Sequence, residues 1–201
     1  MSKILTLKDY ALAASRTDDQ DRGKNLAATN WIWGMREELG EVNSHFKRLL
    51  FSGKPIKKEE FILECGDFMW YYAAWCRLTH VDLVSIGDHA IAPEPLSDIP
   101  DLAILKTVFR DLSKRVYDLD VRSHIVHTRH WHTNGCIEGD PYADYVERYG
   151  QETESCIFTS AGILFACGGV SMVEVMQANI DKLYERHPDG FSGYGVQYDE
   201  K

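Results

Sequence analysis

The chain has 201 residues, a net charge of −9 and a pI near 5.3. Hydrophobic residues at 44% and charged residues at 26% exclude wholesale disorder, and the length suits one domain or two small halves sharing a core. The acidic balance excludes a general coating role on nucleic acid polymers, whose phosphates reward basic faces, but it leaves room for a small anion held through a metal.

Residues 8 to 50 are predicted as helix, with Ile32, Met35, Leu39, Val42, Phe46 and Leu49 spaced three and four apart. Phe51-Ser52-Gly53-Lys54-Pro55 is a turn that ends it. A second helix is predicted from about Lys58 to Leu78, with Phe61, Cys65, Phe68, Met69, Tyr72 and Cys76 in its buried stripe. Asp82 can cap a short helix reaching about Ala90. Pro93, Pro95 and Pro100 make residues 92–100 a connector, since proline breaks helix interiors.

A third long helix is predicted from about Asp101 to Leu119, and residues 122–150 as loop with short helical pieces. Small apolar residues from about Glu152 to Ala166 suit a tightly packed helix, broken by Gly168-Gly169. Ser171 and Glu174 form a capping box that opens a final helix reaching about His187. With no sustained alternation, the fold class is all-α: a helical bundle in one domain, with a first half at 1–91, the connector, and a second half at 101–201. A slide of 89 positions lays Val81-Asp82-Leu83-Val84 on Val170-Ser171-Met172-Val173, which suggests a duplicated unit or a chance likeness of amphipathic helices. No apolar run approaches the ~20 residues of a membrane span, and Met1-Ser2-Lys3-Ile4 lacks a signal peptide's apolar core. Together with five cysteines read as reduced core thiols, this points to a cytoplasmic protein with no membrane partner.

The informative residues are Glu37, Glu38 and Glu41, then Glu64 and Asp67. Helix positions three apart lie ~60° apart on one face, so Glu38 and Glu41 project together, as do Glu64 and Asp67. A short turn makes the two helices antiparallel and brings the pairs level, giving one patch of four carboxylates. Such a patch is either a solvated helix face or a cation site. Its position beside Leu39, Val42, Cys65 and Phe68 favours the cation, because unpaired acids at a core edge are costly. Oxygen-only ligation selects Mg²⁺, or Mn²⁺, which keeps positions open for phosphate oxygens, so a nucleotide polyphosphate is the expected substrate.

Glu37-Glu38-Leu39-Gly40-Glu41 followed by Glu64-Cys65-Gly66-Asp67 resembles the E-E-x-x-E … E-x-x-D signature of the MazG-like all-α nucleoside triphosphate pyrophosphohydrolases, a superfamily that includes dimeric dUTPases and dCTP pyrophosphatases. Asn179-Ile180-Asp181-Lys182-Leu183 and Arg186-His187-Pro188-Asp189-Gly190-Phe191-Ser192 resemble the closing N-x-x-K-L … R-x-P-D-G-F-S. The resemblance implies cleavage of a (d)NTP between its α and β phosphates. It makes Glu38, Glu41, Glu64 and Asp67 metal ligands and places Glu37 near the attacking water. It puts Asn179 and Lys182 on the substrate, Lys182 on phosphate. Residues from about Ala92 to Thr153 separate motifs that lie close together in short family members, and a second, degenerate helical unit here could replace a partner subunit. A homo-oligomer, dimer or tetramer, is also expected.

Trp31 lies two turns before Glu38 and is a candidate to stack on a base, against a plain core role. Tyr71, four residues after Asp67, could face the same site. On this reading Glu37 or Glu38 orients or deprotonates the attacking water. Lys182, sharing a face with Asn179, is expected on a triphosphate oxygen and not on a structural carboxylate. His124, His127, His130 and His132, with Cys136, lack paired zinc spacing and read as structural or surface residues. The competing function is a catalytically silent helical module that binds nucleotide and regulates a partner.

Overall fold

A computed structural model describes residues 6–18, 23–89, 94–96, 101–134 and 140–190, with the backbone alone for 88–89 and 131–134. The described residues form helices and no strand: α1 (Leu7–Ala14), a 3₁₀ turn (Ser15–Thr17), α2 (Lys24–Ser52), α3 (Lys58–Leu78), α4 (Leu83–His89), α5 (Leu102–Asn134), α6 (Tyr145–Tyr149), α7 (Glu152–Cys167) and α8 (Met172–Arg186). The chain is an all-α bundle. Three expectations change. The first predicted helix divides into α1 and α2, separated by the 3₁₀ turn and an extended Asp18. The third runs well past Leu119, to Asn134. Of residues 122–150, those through Asn134 belong to α5 and residues 140–150 contain α6, while residues 135–139 lie outside the described residues.

The α5 extension was hidden because its buried face turns polar. Ser123 is buried where an apolar residue would mark the period, and its hydroxyl meets the Tyr142 hydroxyl at 2.7 Å. Val126 then resumes the buried stripe. The antiparallel α2–α3 hairpin forms as its sequence suggests: Gly53, at φ 62°, ends α2 with its N–H on the Arg48 and Leu49 carbonyls. The Ser171/Glu174 capping box is present in both directions. Within the connector, the Leu96 N–H donates to the Ala166 carbonyl at 3.0 Å, and residues 92–93 and 97–100 lie outside the described residues.

The 89-residue slide has structural counterparts. α3 and α7 end at Leu78 and Cys167, and α4 and α8 begin at Leu83 and Met172. Both breaks are Schellman turns: Val81 N–H reaches the Cys76 carbonyl, and Val170 N–H reaches that of Phe165. The left-handed residues are His80 (φ 57°) and Gly169 (φ 80°), again 89 apart. α2 and α5 correspond at a different displacement, 77 positions. Ala28, Met35, Leu39, Val42 and Phe46 are buried, and so are Leu105, Leu112, Val116, Leu119 and Ser123. The change in displacement is the longer α5–α7 connection that carries α6. α2 packs on α3 and α5 on α7, while α8 of the second unit lies across α3 of the first. The core runs through all of these, from Tyr10 and Ala14 in α1 to Ile180 in α8.

Candidate metal and phosphate site

Two adjacent turns of α3 and one of α2 place the Glu38, Glu64 and Asp67 carboxylates within 4.8 Å of one another. All three side chains are half-buried, at the edge of a core built by Met35, Leu39, Cys65 and Phe68. Burial and the charges of Asp67, Glu64 and Glu41 push the Glu38 carboxyl up to about 8. Burial and then Glu41 and Asp67 also raise Glu64, which shares a hydrogen bond with Glu41. Glu41 itself is exposed and stands beside the triad, outside the closest group. Glu37 is exposed on the next position around α2.

The opposite wall comes from α8. Lys182 Nζ forms an ion pair with Asp67 Oδ2. The expectation that Lys182 would avoid a carboxylate is therefore corrected: with three acids converging, the nearest ammonium settles on one of them. Asn179 is fully buried, so it holds the Asp67 carboxylate and does not open onto the cleft. Its Nδ2 donates to Asp67 Oδ1 at 3.0 Å, and its Oδ1 accepts from the Tyr10 hydroxyl at 2.8 Å. Both oxygens of Asp67 are thus fixed by α8, and α1 orients the amide that fixes one of them. Helices α3 and α8 approach closely at Gly66, where a Cβ would lie 2.8 Å from the Asn179 Cβ.

A cleft of about 200 Å³ opens over this cluster, lined by Glu38, Asp67, Trp70, Tyr71, Lys182 and Arg186, with Leu183 and His187 beside them. Tyr71 lies where the sequence placed it, packed against Gly34 and edge-on to Trp70 with ring centroids 5.1 Å apart. Trp31 does not. It is 7% exposed and belongs to the core, whereas Trp33 is 62% exposed and faces elsewhere. Trp70 was missed, although it lies three residues after Asp67 on the same helix face; its Nε1 donates to Thr17 Oγ1 at 2.9 Å. Tyr10 carries no sequence signal at all, being 169 positions from the residue it orients. Arg16 closes the end of α8, its guanidinium 3.9 Å from the Tyr184 ring centroid and donating to the Pro188 carbonyl at 2.9 Å.

Three carboxylates and a neighbouring fourth, with an all-oxygen donor set and two shifted carboxyls, fit a hard divalent cation. Among the described residues no other group of three ligating side chains converges, the α5 histidines included, while the side chain of His132 and all of Cys136 lie outside them. Cys65, Cys76 and Cys167 are buried free thiols, burial raising each above the usual thiol range. No single helix among the described residues is long and apolar enough to cross a membrane. Comparison with protein-family models, curated proteins and solved structures finds no match.

Proposed function

We propose that this chain is a Mg²⁺-dependent nucleoside triphosphate pyrophosphohydrolase, with Mn²⁺ as an alternative ion, that splits a (d)NTP into a (d)NMP and pyrophosphate. The observation that carries the reading is the convergence of Glu38, Glu64 and Asp67 opposite the Lys182–Arg186 face of α8. The resemblance of the two sequence motifs to the MazG-like superfamily supports it, because the residues that carry both motifs meet in one cleft. On this proposal Glu38, Glu64 and Asp67 hold the ion, with Glu41 completing the set. The ion would supply a lowered pKa for a bound water and neutralise charge developing on the leaving pyrophosphate.

The chain's own residues do the rest. Asn179 and Tyr10 keep Asp67 in one rotamer, so the ligand set is organised before substrate arrives. Lys182 and Arg186, one turn apart on α8, line the phosphate side of the cleft and oppose its negative charge. Glu37, exposed beside Glu38, is placed to accept the proton of an attacking water. Trp70 and Tyr71 offer the aromatic edge on which a base can rest. Burial rules out Trp31 for that role. The wall that carries Lys182 belongs to the second helical unit of the same chain.

A pyrophosphate-release screen of the eight standard NTPs and dNTPs tests the reading, run with Mg²⁺, with Mn²⁺ and in excess EDTA. At least one nucleotide should turn over with either ion and none in EDTA. Tight nucleotide binding with no pyrophosphate from any of the eight would favour a silent regulatory module instead.

A further inference from the structure

Helices α2 and α5 cross antiparallel, with Arg36 beside Asp120 at 3.5 Å and residues 43–51 of α2 against 102–110 of α5. On each side of that contact the two helices line a cleft, one of about 330 Å³ and the other of about 420 Å³. The two clefts are the same feature repeated. Phe46, Lys47 and Leu50 line the first where Ser123, His124 and His127 line the second, each pair 77 positions apart. Lys106 and Arg110 likewise correspond to Thr29 and Trp33. The fold therefore supplies a cleft twice, with different linings.

That difference is chemical. The first cleft has an apolar floor of Phe46, Leu105 and Phe109, and a rim of Lys47, Lys106 and Arg110. Among the described residues no acid lines it, and none of its three cations is in an ion pair with another described residue. Three cations without an ion-pair partner among the described residues, set around an apolar floor, stand out in a chain of net charge −9. At the mouth, Phe51 is 75% exposed and Leu50 38%. The lining shares no residue with the carboxylate cleft.

We infer that this cleft binds a small amphipathic monoanion, a carboxylate on an aliphatic body. The tail lies along Phe46, Leu50, Leu105 and Phe109, and the head sits against Lys47, Lys106 and Arg110. The cleft's volume falls in the range of small-molecule sites. Charge complementarity selects the anion: a buried apolar body contributes affinity, and a rim of three cations fixes the head group. A second copy docking cleft to cleft would bring the two sets of three cations together, which opposes that occupant.

Calorimetric titration of the full chain with decanoate and, separately, with decanol tests the proposal. Decanoate should saturate at about one per chain, bind at least tenfold tighter than decanol, and weaken as salt is raised. Lys106→Glu with Arg110→Glu should weaken decanoate at least tenfold and leave decanol unchanged. His127→Ala, in the equivalent cleft, should change neither. The salt series on the unmodified chain keeps the question decidable if the double variant fails to fold. Equal affinity for decanoate and decanol, an affinity indifferent to salt, or no saturation with decanoate would overturn the proposal. So would sedimentation showing a dimer whose formation excludes decanoate, which would assign the cleft to a second copy.

Discussion

At the level of single residues, the site rests on how four side chains divide a surplus of negative charge. Glu38 titrates at about 8, against 4.5 for a free side chain, because burial comes first and three neighbouring acids follow. Its protonated form is favoured in the folded chain, so its contribution to stability is complete below about pH 4.5 and lost as pH rises through about 8. In EDTA the melting temperature should therefore fall between pH 5 and 8.5, and Glu38→Gln should flatten that fall. Mg²⁺ binding needs the ionised form, so affinity should rise with pH up to about 8 and then level off. Calorimetry at pH 7 in two buffers of different ionisation enthalpy should show proton release on binding; none would remove Glu38 from the ligand set. Tyr10→Phe leaves the buried Asn179 Oδ1 without its donor. It should cost ~1–3 kcal/mol of stability and weaken Mn²⁺ binding by roughly tenfold. An unchanged Mn²⁺ affinity would show that Asp67 needs no support from α1. Much of this was legible in sequence: Glu38, Glu64 and Asp67 follow from spacing alone. The roles of Asn179 and Lys182 were not, because spacing places a residue on a face without saying what lies opposite.

Among the helices, the α3–α8 crossing decides whether the acids have a facing wall. Gly66 sits at its tightest point, and two effects of Gly66→Ala oppose each other. Alanine favours helix by about 1 kcal/mol, while a Cβ 2.8 Å from the Asn179 Cβ forces backbones apart at a cost of ~1–3 kcal/mol. The clash should win, because Asn179 is fully buried and held at both ends. Chemical denaturation should show a net loss of stability together with weaker Mn²⁺ binding. A stabilised variant with unchanged metal affinity would contradict the close approach. Element boundaries were readable where caps speak clearly, as at Gly53 and Ser171. They were lost in α5, where Ser123 interrupts the apolar period, and at the α1–α2 break, where Ser15, Thr17, Asp18 and Gly23, residues that favour caps and turns, do mark the interruption.

For the whole molecule, the two units share one architecture and divide the chemistry. Positions equivalent to Glu38, Glu64 and Asp67 in the second unit hold Arg115, Thr153 and Cys156, so the carboxylate cluster has no counterpart there. Instead the second unit sends α8 across α3 and supplies Asn179 and Lys182. The sequence slide reached α3, α4, α7 and α8, but it could not align α2 with α5, because the inserted α6 changes the displacement between the units. A site built from both units of one chain predicts specific activity independent of protein concentration. Loss of activity on dilution, recovered on concentration, would mean a second chain completes it. We propose metal-dependent cleavage between the α and β phosphates by the Glu38–Glu64–Asp67 cluster. It is tested most directly by ³¹P NMR of the best nucleotide substrate turning over with Mg²⁺, in the wild-type chain and in Asp67→Asn. The wild type should give equal amounts of nucleoside monophosphate and pyrophosphate, and a folded Asp67→Asn should give no turnover. Orthophosphate as the first product, or near-normal turnover by Asp67→Asn, would contradict it.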